Sequence, residues 1–517
     1  MSIFPKRPRP VVLVSMDGVG VAPPGPGNAI TLANTQNLDK YWPMYPHTYL
    51  EAAGLNVGLP SGTDGNSEVG HMTMGAGKVI FQNLPRIDNA IRTGSFYQNP
   101  ALKQAFDFAK KNNGNVHILG LVSSGFVHSS MDHLEAIIKF AALEKADPNK
   151  LFVHAITDGR DSPPKSAIEI LEKIETWLIQ RRVGKLASII GRAYAMDRNR
   201  NWTKTKMAYD LYTVGATKTK DWHKTIEESY KKNVLDEYFE PISIVKGNED
   251  PVVIKENDAV IFFNFRPDRA YQIDYAFESD DFKEWERKKI NNLYWVGMTD
   301  YENGFPKVKA FPPEKVTMPL GRVLSSHNLK QLRIAESEKF PHVTYFFNGQ
   351  NKEISAGETW IEVPSPKDVA TYDLKPEMSQ KWVTDVIVDK IKSEQYDFIM
   401  VNFAGPDMVA HTGVIDATIK AMDICDQCIG RIVDAALQQD GAVVLAADHG
   451  NAEEMIDTQT GAPDTKHSTN QIPFLVIANN LPGRELPVGG LADIAPTILS
   501  LMGMEIPPEM TGRNLLG

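Results

Sequence analysis

The apolar residues of this chain recur in short runs, and each run ends in polar residues. The runs have the length of buried parallel strands, and helix-period segments such as residues 417–437 separate most of them. This alternation predicts an α/β fold whose ligands gather at the carboxyl ends of the strands. The predicted strands are residues 11–16, 116–122, 151–156, 186–190, 259–265, 398–401 and 443–447.

The size and composition indicate a globular protein of several domains. The chain has 517 residues, of which 42% are hydrophobic and 23% are charged. Its net charge of −10 argues against a nucleic-acid or anionic-membrane partner, so an anionic ligand would need a local cluster of Arg or Lys. No apolar run approaches the ~18 residues of a membrane span, and the run after the basic N-terminus is too short for a signal peptide. We therefore expect a cytoplasmic protein.

Three short motifs have ordinary explanations. Cys425 and Cys428 have the spacing of a redox motif, but they lie on a helical apolar stripe and are expected to pack in the core. The Gly18-Val19-Gly20 segment lacks the third glycine of a dinucleotide-binding fingerprint. The segment around Ser67 has Val69 where a nucleophile elbow has glycine. The sequence therefore gives little support for a nucleotide cofactor.

Asp and His residues stand at spacings that are typical of metal ligands. Asp407 and His411 are four positions apart, so a helix opened by Pro406 would place both on one face. The other candidates end strands or lie in polar loops: Asp17, Asp448, His449 and His467. Mixed Asp and His ligands without Cys fit Mn²⁺ or Zn²⁺ better than Ca²⁺, and this set is large enough for two ions. A pair of metal ions is the usual apparatus of in-line phosphoryl transfer.

Such a reaction needs a nucleophile, and Ser67 is the candidate. It lies in residues 65–71, where a turn leads into a predicted helix. The alternative is that Ser67 only caps the N-terminus of that helix, and the segment by itself does not separate the two roles.

Six segments of the chain resemble, in order, the motifs of the cofactor-independent phosphoglycerate mutases, which belong to the alkaline phosphatase superfamily. The segments are DG at 17–18, GNSEVGH at 65–71, TDGRD at 157–161, NFRPDR at 264–269, PDMVAHTG at 406–413 and ADHGNAEEM at 447–455. The likeness covers nearly the whole chain. It implies interconversion of 3-phosphoglycerate and 2-phosphoglycerate, in glycolysis and gluconeogenesis, without 2,3-bisphosphoglycerate. It also implies an alkaline-phosphatase-like metal domain with an inserted second α/β domain.

The resemblance further implies a role for each candidate ligand. One metal ion would be held by Asp407, His411 and His467. The other would be held by Asp17, Asp448 and His449, with Ser67 on it as the nucleophile. The family most often uses Mn²⁺, and Zn²⁺, Co²⁺ and Mg²⁺ are the alternatives. We expect a monomer that acts on a small-molecule phosphoglycerate and has no nucleic-acid or membrane partner.

The numbering of the candidate ligands indicates that the middle of the chain is an insertion. About 340 positions separate Ser67 from Asp407, yet both must reach one site. We therefore predict a discontinuous phosphatase-like domain of residues 1–83 and 314–517, and an inserted substrate-binding domain of residues 84–313. Linkers are expected near residues 77–84 and 311–319.

The insert supplies the arginines that an acidic protein needs to hold an anion. Most of them stand just beyond apolar runs: Arg160, Arg192, Arg198, Arg266 and Arg269. A single arginine is usually a solvated surface charge, but five of them after strand ends suggest an anion-binding cage. Matching to the family adds His128, Asp161 and Lys339 as substrate-binding residues. Asp161 is then the candidate acid and base for the glycerate hydroxyls, although it could be only the salt-bridge partner of Arg160.

Two other functions stay open at this stage. A phosphatase or phosphodiesterase of the same superfamily would use the same metals and serine, although the arginine-bearing insert argues against it. A non-catalytic metal-binding or anion-binding protein would not need a nucleophile beside a complete ligand set.

Overall fold

The structure, a computed structural model, describes residues 7–457 and 459–517 and divides the chain into two units. One unit consists of Met1–Gln82 and Glu314–Gly517, and the other consists of Asn83–Pro313. Each unit combines helices with one sheet, which confirms the predicted α/β fold class.

The described part of the first unit is built on an eight-stranded sheet. In sheet order its strands are Glu358–Val363, Gln331–Glu336, Phe398–Phe403, Val11–Met16, Ala442–Ala446, Ile472–Ala478, His47–Glu51 and Gly489–Gly490. The first five are parallel to one another, whereas Ile472–Ala478 is antiparallel to both of its neighbours. Every residue of Val11–Met16 is buried, as expected for a central parallel strand that is covered on both faces.

Helices cover this sheet. In the described residues of the unit they are Ala29–Leu32, Gln36–Met44, Ser67–Ala76, Leu320–Ser326, Gln380–Lys392, Gly405–Ala410, Ile415–Gln438 and Ile494–Leu501. The Ile415–Gln438 helix buries Cys425 and Cys428, both of which are free thiols, so they pack in the core as the helical spacing predicts. Across residues 7–457 and 459–517, none of the helices combines the length and the apolar character that crossing a bilayer requires.

The second unit, in which every residue is described, contains another eight-stranded sheet. In sheet order its strands are Val308–Lys309, Tyr294–Gly297, Ala259–Phe262, Val116–Val122, Leu151–Thr157, Lys185–Gly191, Ile242–Ile244 and Thr217–Thr219. The first six are parallel, and Ile242–Ile244 runs antiparallel to Lys185–Gly191. Its helices are Asn83–Thr93, Pro100–Lys111, Met131–Leu143, Ala167–Arg181, Arg192–Ala195, Trp202–Thr213, Trp222–Lys231 and Tyr271–Glu278.

One predicted strand is longer than the observed one. The strand predicted over residues 259–265 ends at Phe262. Beyond it, the side-chain oxygen of Asn264 accepts the hydrogen bond of the Leu121 amide at 2.9 Å. A side chain therefore takes the position of the main-chain acceptor that a longer strand would supply.

The parallel strands bring loops from distant parts of the sequence to one edge of each sheet. In the first unit such loops follow Gln331–Glu336, Phe398–Phe403, Val11–Met16 and Ala442–Ala446. In the second unit they follow Ala259–Phe262, Val116–Val122, Leu151–Thr157 and Lys185–Gly191. The carboxyl edges of these strands carry most of the candidate functional residues.

Candidate functional site

The helix that carries Ser67 begins at that residue and ends at Ala76. Its N-cap is Asn66, whose side-chain oxygen accepts a hydrogen bond from Val69 N at 3.1 Å. The capping role considered for Ser67 is therefore wrong, because the preceding residue fulfils it. Ser67 itself is buried, and its hydroxyl meets polar groups from other loops.

Three polar side chains surround the Ser67 hydroxyl. Its Oγ lies 2.9 Å from His449 Nε2 and 3.3 Å from Asp17 Oδ1. Lys339 Nζ donates a hydrogen bond to Oγ at 2.8 Å. The same ammonium donates to Asp17 Oδ1 and Asp407 Oδ2, each at 2.7 Å. The four residues other than Ser67 each follow one of four adjacent parallel strands, so the edge of the sheet determines their spacing.

Asp407, His411 and His467 form the first candidate metal-binding group, with one ligand atom from each within 4.8 Å of the others. Asp407 Oδ1 lies 3.3 Å from His411 Nε2 and 3.5 Å from His467 Nε2. The Nδ1 atoms of the two imidazoles donate to the carbonyl oxygens of Thr465 and Gly65, each at 2.8 Å. These hydrogen bonds place the protons on Nδ1 and leave both Nε2 atoms as ligand atoms.

Asp17, Asp407 and His449 form the second candidate group. Asp448, which the resemblance assigns with Asp17 and His449, lies beside them, because its Oδ2 is 3.5 Å from His449 Nε2. That oxygen is buried and has no hydrogen-bond partner within the described residues. The His449 Nδ1 faces Gly450 O at 3.2 Å, which leaves its Nε2 as a ligand atom. A buried oxygen without a donor, beside carboxylate and imidazole ligands, fits a borderline divalent cation.

The two groups concentrate negative charge in the interior of the unit. Asp17, Asp407 and Asp448 are all buried, and the Lys339 ammonium lies among them. Burial and the neighbouring Asp448 raise the pKa of Asp17. At Asp407 burial acts in the same direction, but Lys339, His411 and His449 together outweigh it and hold the pKa well below its ordinary value. Burial alone would lower the pKa of Lys339, yet the carboxylates raise it, so the ammonium stays charged.

The second unit gathers its own charged cluster at the carboxyl edge of its sheet. Arg192 is buried and donates to Asp158 Oδ1 and Asp161 Oδ2. The Ser123 hydroxyl also donates to Asp158. Burial opposes both charges, but the hydrogen bonds from Ser123 and Arg192 hold the pKa of Asp158 below its ordinary value. The carboxylates of Asp161 and Asp158 hold the pKa of Arg192 above its ordinary value. Arg192 therefore acts as an internal anchor for these two carboxylates.

Three other guanidinium groups of the cluster reach solvent. Arg160, Arg198 and Arg266 each expose about half of the side chain. Arg198 Nη1 and Arg266 Nε contact the Asp268 carboxylate at 3.3 Å and 3.2 Å. Because exposed pairs of this kind are weak, these arginines can exchange a carboxylate partner for an incoming anion.

His128 and Arg269 complete the cluster. Burial and the guanidinium groups of Arg192 and Arg198 lower the pKa of Arg269, which reflects crowded positive charge. Burial and Arg192 lower the pKa of His128 to about 4, so its imidazole is neutral near pH 7. The structure thus brings the predicted anion-binding residues of the insert together, whereas Lys339 lies with the candidate metal ligands.

Several polar residues of these sites are not singled out by the sequence. Asn402 Nδ2 donates to Asp17 Oδ2 at 2.6 Å. Asp158 and Asp268 are the carboxylate partners of the arginines. Asp158 directly follows the strand Leu151–Thr157, which is the one signal that could have identified it. Asn402 lies inside the strand Phe398–Phe403, and Asp268 lies well beyond the strand that ends at Phe262.

Comparison with known proteins places these sites in a family. A family profile described as BPG-independent PGAM N-terminus matches residues 87–303, and one described as Sulfatase matches residues 323–504. A 2,3-bisphosphoglycerate-independent phosphoglycerate mutase of Clostridium novyi (strain NT) is 48% identical over 513 residues, which are 98% of this chain and 99% of that protein. The protein of the same name from Clostridium beijerinckii is 46% identical over 510 residues, with the same coverage.

A solved structure agrees with these relatives. The structure of Leishmania mexicana phosphoglycerate mutase at low cobalt concentration covers 99% of this chain and 98% of its own, with a TM-score of 0.52 and 30% sequence identity. Both the sequence and the fold of this chain therefore match those of phosphoglycerate mutases along almost its entire length. The chain belongs to the family of 2,3-bisphosphoglycerate-independent phosphoglycerate mutases.

Proposed function

We propose that this protein interconverts 3-phosphoglycerate and 2-phosphoglycerate through a phosphoserine at Ser67. As a member of its family it is an isomerase that needs no 2,3-bisphosphoglycerate, and its reaction is a step of glycolysis and gluconeogenesis. The observation that carries the proposal is the position of Ser67 Oγ, which lies 3.3 Å from Asp17 Oδ1 and 2.9 Å from His449 Nε2. Both residues belong to a candidate metal-binding group.

We assign two divalent ions to the candidate ligands. One would be held by Asp407, His411 and His467. The other would be held by Asp17, Asp448 and His449, with Ser67 beside it. Mn²⁺ is the proposed ion, and Zn²⁺, Co²⁺ and Mg²⁺ are the alternatives. Ions of this kind lower the pKa of a hydroxyl and neutralise phosphoryl oxygens when they are bound.

The residues around Ser67 determine where its proton goes. Lys339 is an ammonium and can only donate, so the Ser67 oxygen accepts from it. The Ser67 proton is then directed to Asp17 Oδ1 at 3.3 Å, because the single lone pair of His449 Nε2 is assigned to the metal ion. A lone pair of Oγ is left to form the bond to phosphorus while the bond from phosphorus to the glycerate oxygen breaks.

We propose that the arginine cluster holds the glycerate while the phosphoryl group resides on Ser67. The exposed guanidinium groups of Arg160, Arg198 and Arg266 suit the carboxylate and phosphoryl oxygens of the substrate, and His128 and Arg269 add polar contacts. Asp161 would give a proton to the oxygen that leaves and take one from the hydroxyl that returns. Water must be excluded from the site while the glycerate is held there, because water would hydrolyse the phosphoserine.

A coupled assay with enolase tests this function. The assay contains 3-phosphoglycerate but no 2,3-bisphosphoglycerate, and it is run with and without Mn²⁺. We expect 2-phosphoglycerate to form only when the metal is present. Release of inorganic phosphate without 2-phosphoglycerate would instead identify a phosphatase, and the absence of any turnover with Mn²⁺, Zn²⁺, Co²⁺ or Mg²⁺ would identify a binding protein.

We further propose that the protein is a cytoplasmic monomer without nucleic-acid or membrane partners. Its net charge of −10 supports the absence of nucleic-acid and membrane partners, because acidic surfaces repel nucleic acid and anionic lipid. Light scattering at the working concentration checks the oligomeric state, and a mass of twice 57.5 kDa would contradict it.

A further inference from the structure

Glu453 is a buried carboxylate to which the proposed function gives no role. Its Oε2 accepts hydrogen bonds from Gly20 N at 3.0 Å and from Asn451 N at 2.8 Å. Its Oε1 accepts from Asn470 Nδ2 at 3.0 Å and from the Ser468 hydroxyl. Donors thus converge on both oxygens, which matches the acceptor-only character of a carboxylate.

These donors lie on separate loops, and three of them stand within a few residues of a proposed metal ligand. The pairs of donor and ligand are Gly20 with Asp17, Asn451 with His449, and Ser468 with His467. The side chain of Asn451 extends the link to another loop, because its Nδ2 donates to Asp407 Oδ1 at 2.7 Å. One carboxylate is therefore connected to loops that carry ligands of both proposed ions.

The backbone around Glu453 is shaped to admit its head group. A Cβ atom on Gly20 would lie 2.2 Å from Glu453 Cδ, and a Cβ atom on Gly450 would lie 2.3 Å from Glu453 Oε1. Carbon atoms in ordinary contact are ~3.5–4.0 Å apart, so side chains at these two positions would exclude the carboxylate. The loops close around Glu453 because both positions are glycine.

We infer that Glu453 is a positioning residue that sets the spacing between the ligands of the two metal ions. The inference rests on the metal assignment in the proposed function. Glu453 acts through the main chain of the loops, so its loss would let Asp17, His449 and His467 move apart. Residues that orient metal ligands in this way change metal affinity by ~10–100-fold when they are mutated.

Glu453→Gln is the direct test because it preserves the shape of the side chain. The glutamine amide nitrogen would replace either Oε2 or Oε1 of the carboxylate, and it would face hydrogen-bond donors in both orientations. The donors at Oε2 are the N–H groups of Gly20 and Asn451, and those at Oε1 are the side chains of Ser468 and Asn470. The matched control is Glu454→Gln, which removes the charge of the exposed neighbouring residue. Its amide oxygen can still accept the hydrogen bond that Asn470 Nδ2 donates to Glu454 at 3.0 Å. Ser468→Ala is a milder variant that deletes one donor, and it keeps the test informative if Glu453→Gln does not fold.

The test measures metal binding to the full chain after metal removal. Calorimetric titration with Mn²⁺ gives the Kd, the visible spectrum with Co²⁺ reports the ligand geometry, and thermal unfolding without metal reports the stability of the fold. We expect Glu453→Gln to raise the Kd by ~10–100-fold and to change the Co²⁺ spectrum. Ser468→Ala should shift the Kd in the same direction by a smaller factor, and Glu454→Gln should bind as the unmodified chain does.

Two results would overturn the inference, and only the second would also overturn the proposed metal assignment. If Glu453→Gln and Ser468→Ala keep the original Kd and spectrum while melting at a lower temperature, the carboxylate only stabilises the loops. If the unmodified chain binds neither Mn²⁺ nor Co²⁺, the proposed metal assignment fails, and the inference fails with it.

Discussion

Replacing Arg192 with methionine tests whether the charged cluster of the second unit is built on a buried ion pair. Arg192 is 3% exposed and donates to both Asp158 and Asp161. Methionine fills much of the same space with apolar atoms, so the variant removes the charge without opening a large cavity. Asp158, which is also buried, would lose its guanidinium partner and keep only neutral donors such as the Ser123 hydroxyl.

The magnitude follows from the burial of the two groups. Removing one partner of a buried ion pair costs about 3–5 kcal/mol, because the remaining charge is desolvated and unpaired. Asp161 is partly exposed, so its share of the interaction adds little. A domain of this size loses about 2–4 °C in Tm for each kcal/mol. We therefore expect the Tm of the second unit to fall by about 6–20 °C.

Calorimetric unfolding of the full chain at pH 7 measures this change. The variant Arg192→Met is compared with the double variant Arg192→Met with Asp158→Asn, in which the stranded carboxylate is neutral. The double variant should recover part of the lost Tm. If Arg192→Met unfolds close to the unmodified chain and Asp158→Asn adds no recovery, the pair is not desolvated and this reasoning is refuted.

Arg266→Ala, in contrast, should change the free energy of unfolding by only ~0–1 kcal/mol, because this arginine is about half exposed. It should raise the ratio of inorganic phosphate released to 2-phosphoglycerate formed by about one to two powers of ten, and an unchanged ratio would show that it does not retain the glycerate. Mutase activity should fall as pH drops through the imidazole pKa of ~6.5, and excess Mn²⁺ should move that fall to lower pH, because protons and metal compete for the histidine ligands. An acid limb that does not respond to Mn²⁺ would assign the fall to another group. Burial and His117 hold the pKa of His154 well below 6.5. Below pH 6.5 the unfolded chain therefore binds a proton at this histidine that the folded chain does not bind, and the free energy of unfolding decreases as pH falls. This histidine should contribute about 1.4 kcal/mol per pH unit to that loss, and melting curves of His154→Gln with an equally steep pH dependence would contradict the assignment.

The central strands of both sheets can be predicted because each is an apolar run that a polar residue closes. Val11–Met16 and Val116–Val122 occupy the predicted positions and are buried along their whole length. The last two strands of the first sheet, His47–Glu51 and Gly489–Gly490, show no such pattern. Their extended conformation depends on pairing with each other and with Ile472–Ala478, so tertiary contacts decide it rather than local sequence.

The candidate ligands can be predicted for a related reason. Asp17 and Asp448 stand at the carboxyl ends of predicted strands, where a parallel sheet collects its functional groups. The residues that orient the ligands escape prediction. Asn402 resembles other polar residues near the ends of strands, and Glu453 resembles many other polar residues in loops. Their contacts arise only when distant segments of the sequence meet.

The central claim is that the phosphoryl group passes through Ser67, and trapping of the phosphorylated enzyme tests it most directly. The chain is mixed with 3-phosphoglycerate that carries a radiolabelled phosphoryl group, quenched in acid during turnover and digested into peptides. We predict acid-stable label on the peptide that contains Ser67. Ser67→Ala should fold normally and take up no label, and its mutase activity should be lost. Label on a different peptide, or a Ser67→Ala variant that retains substantial turnover, would contradict the claim.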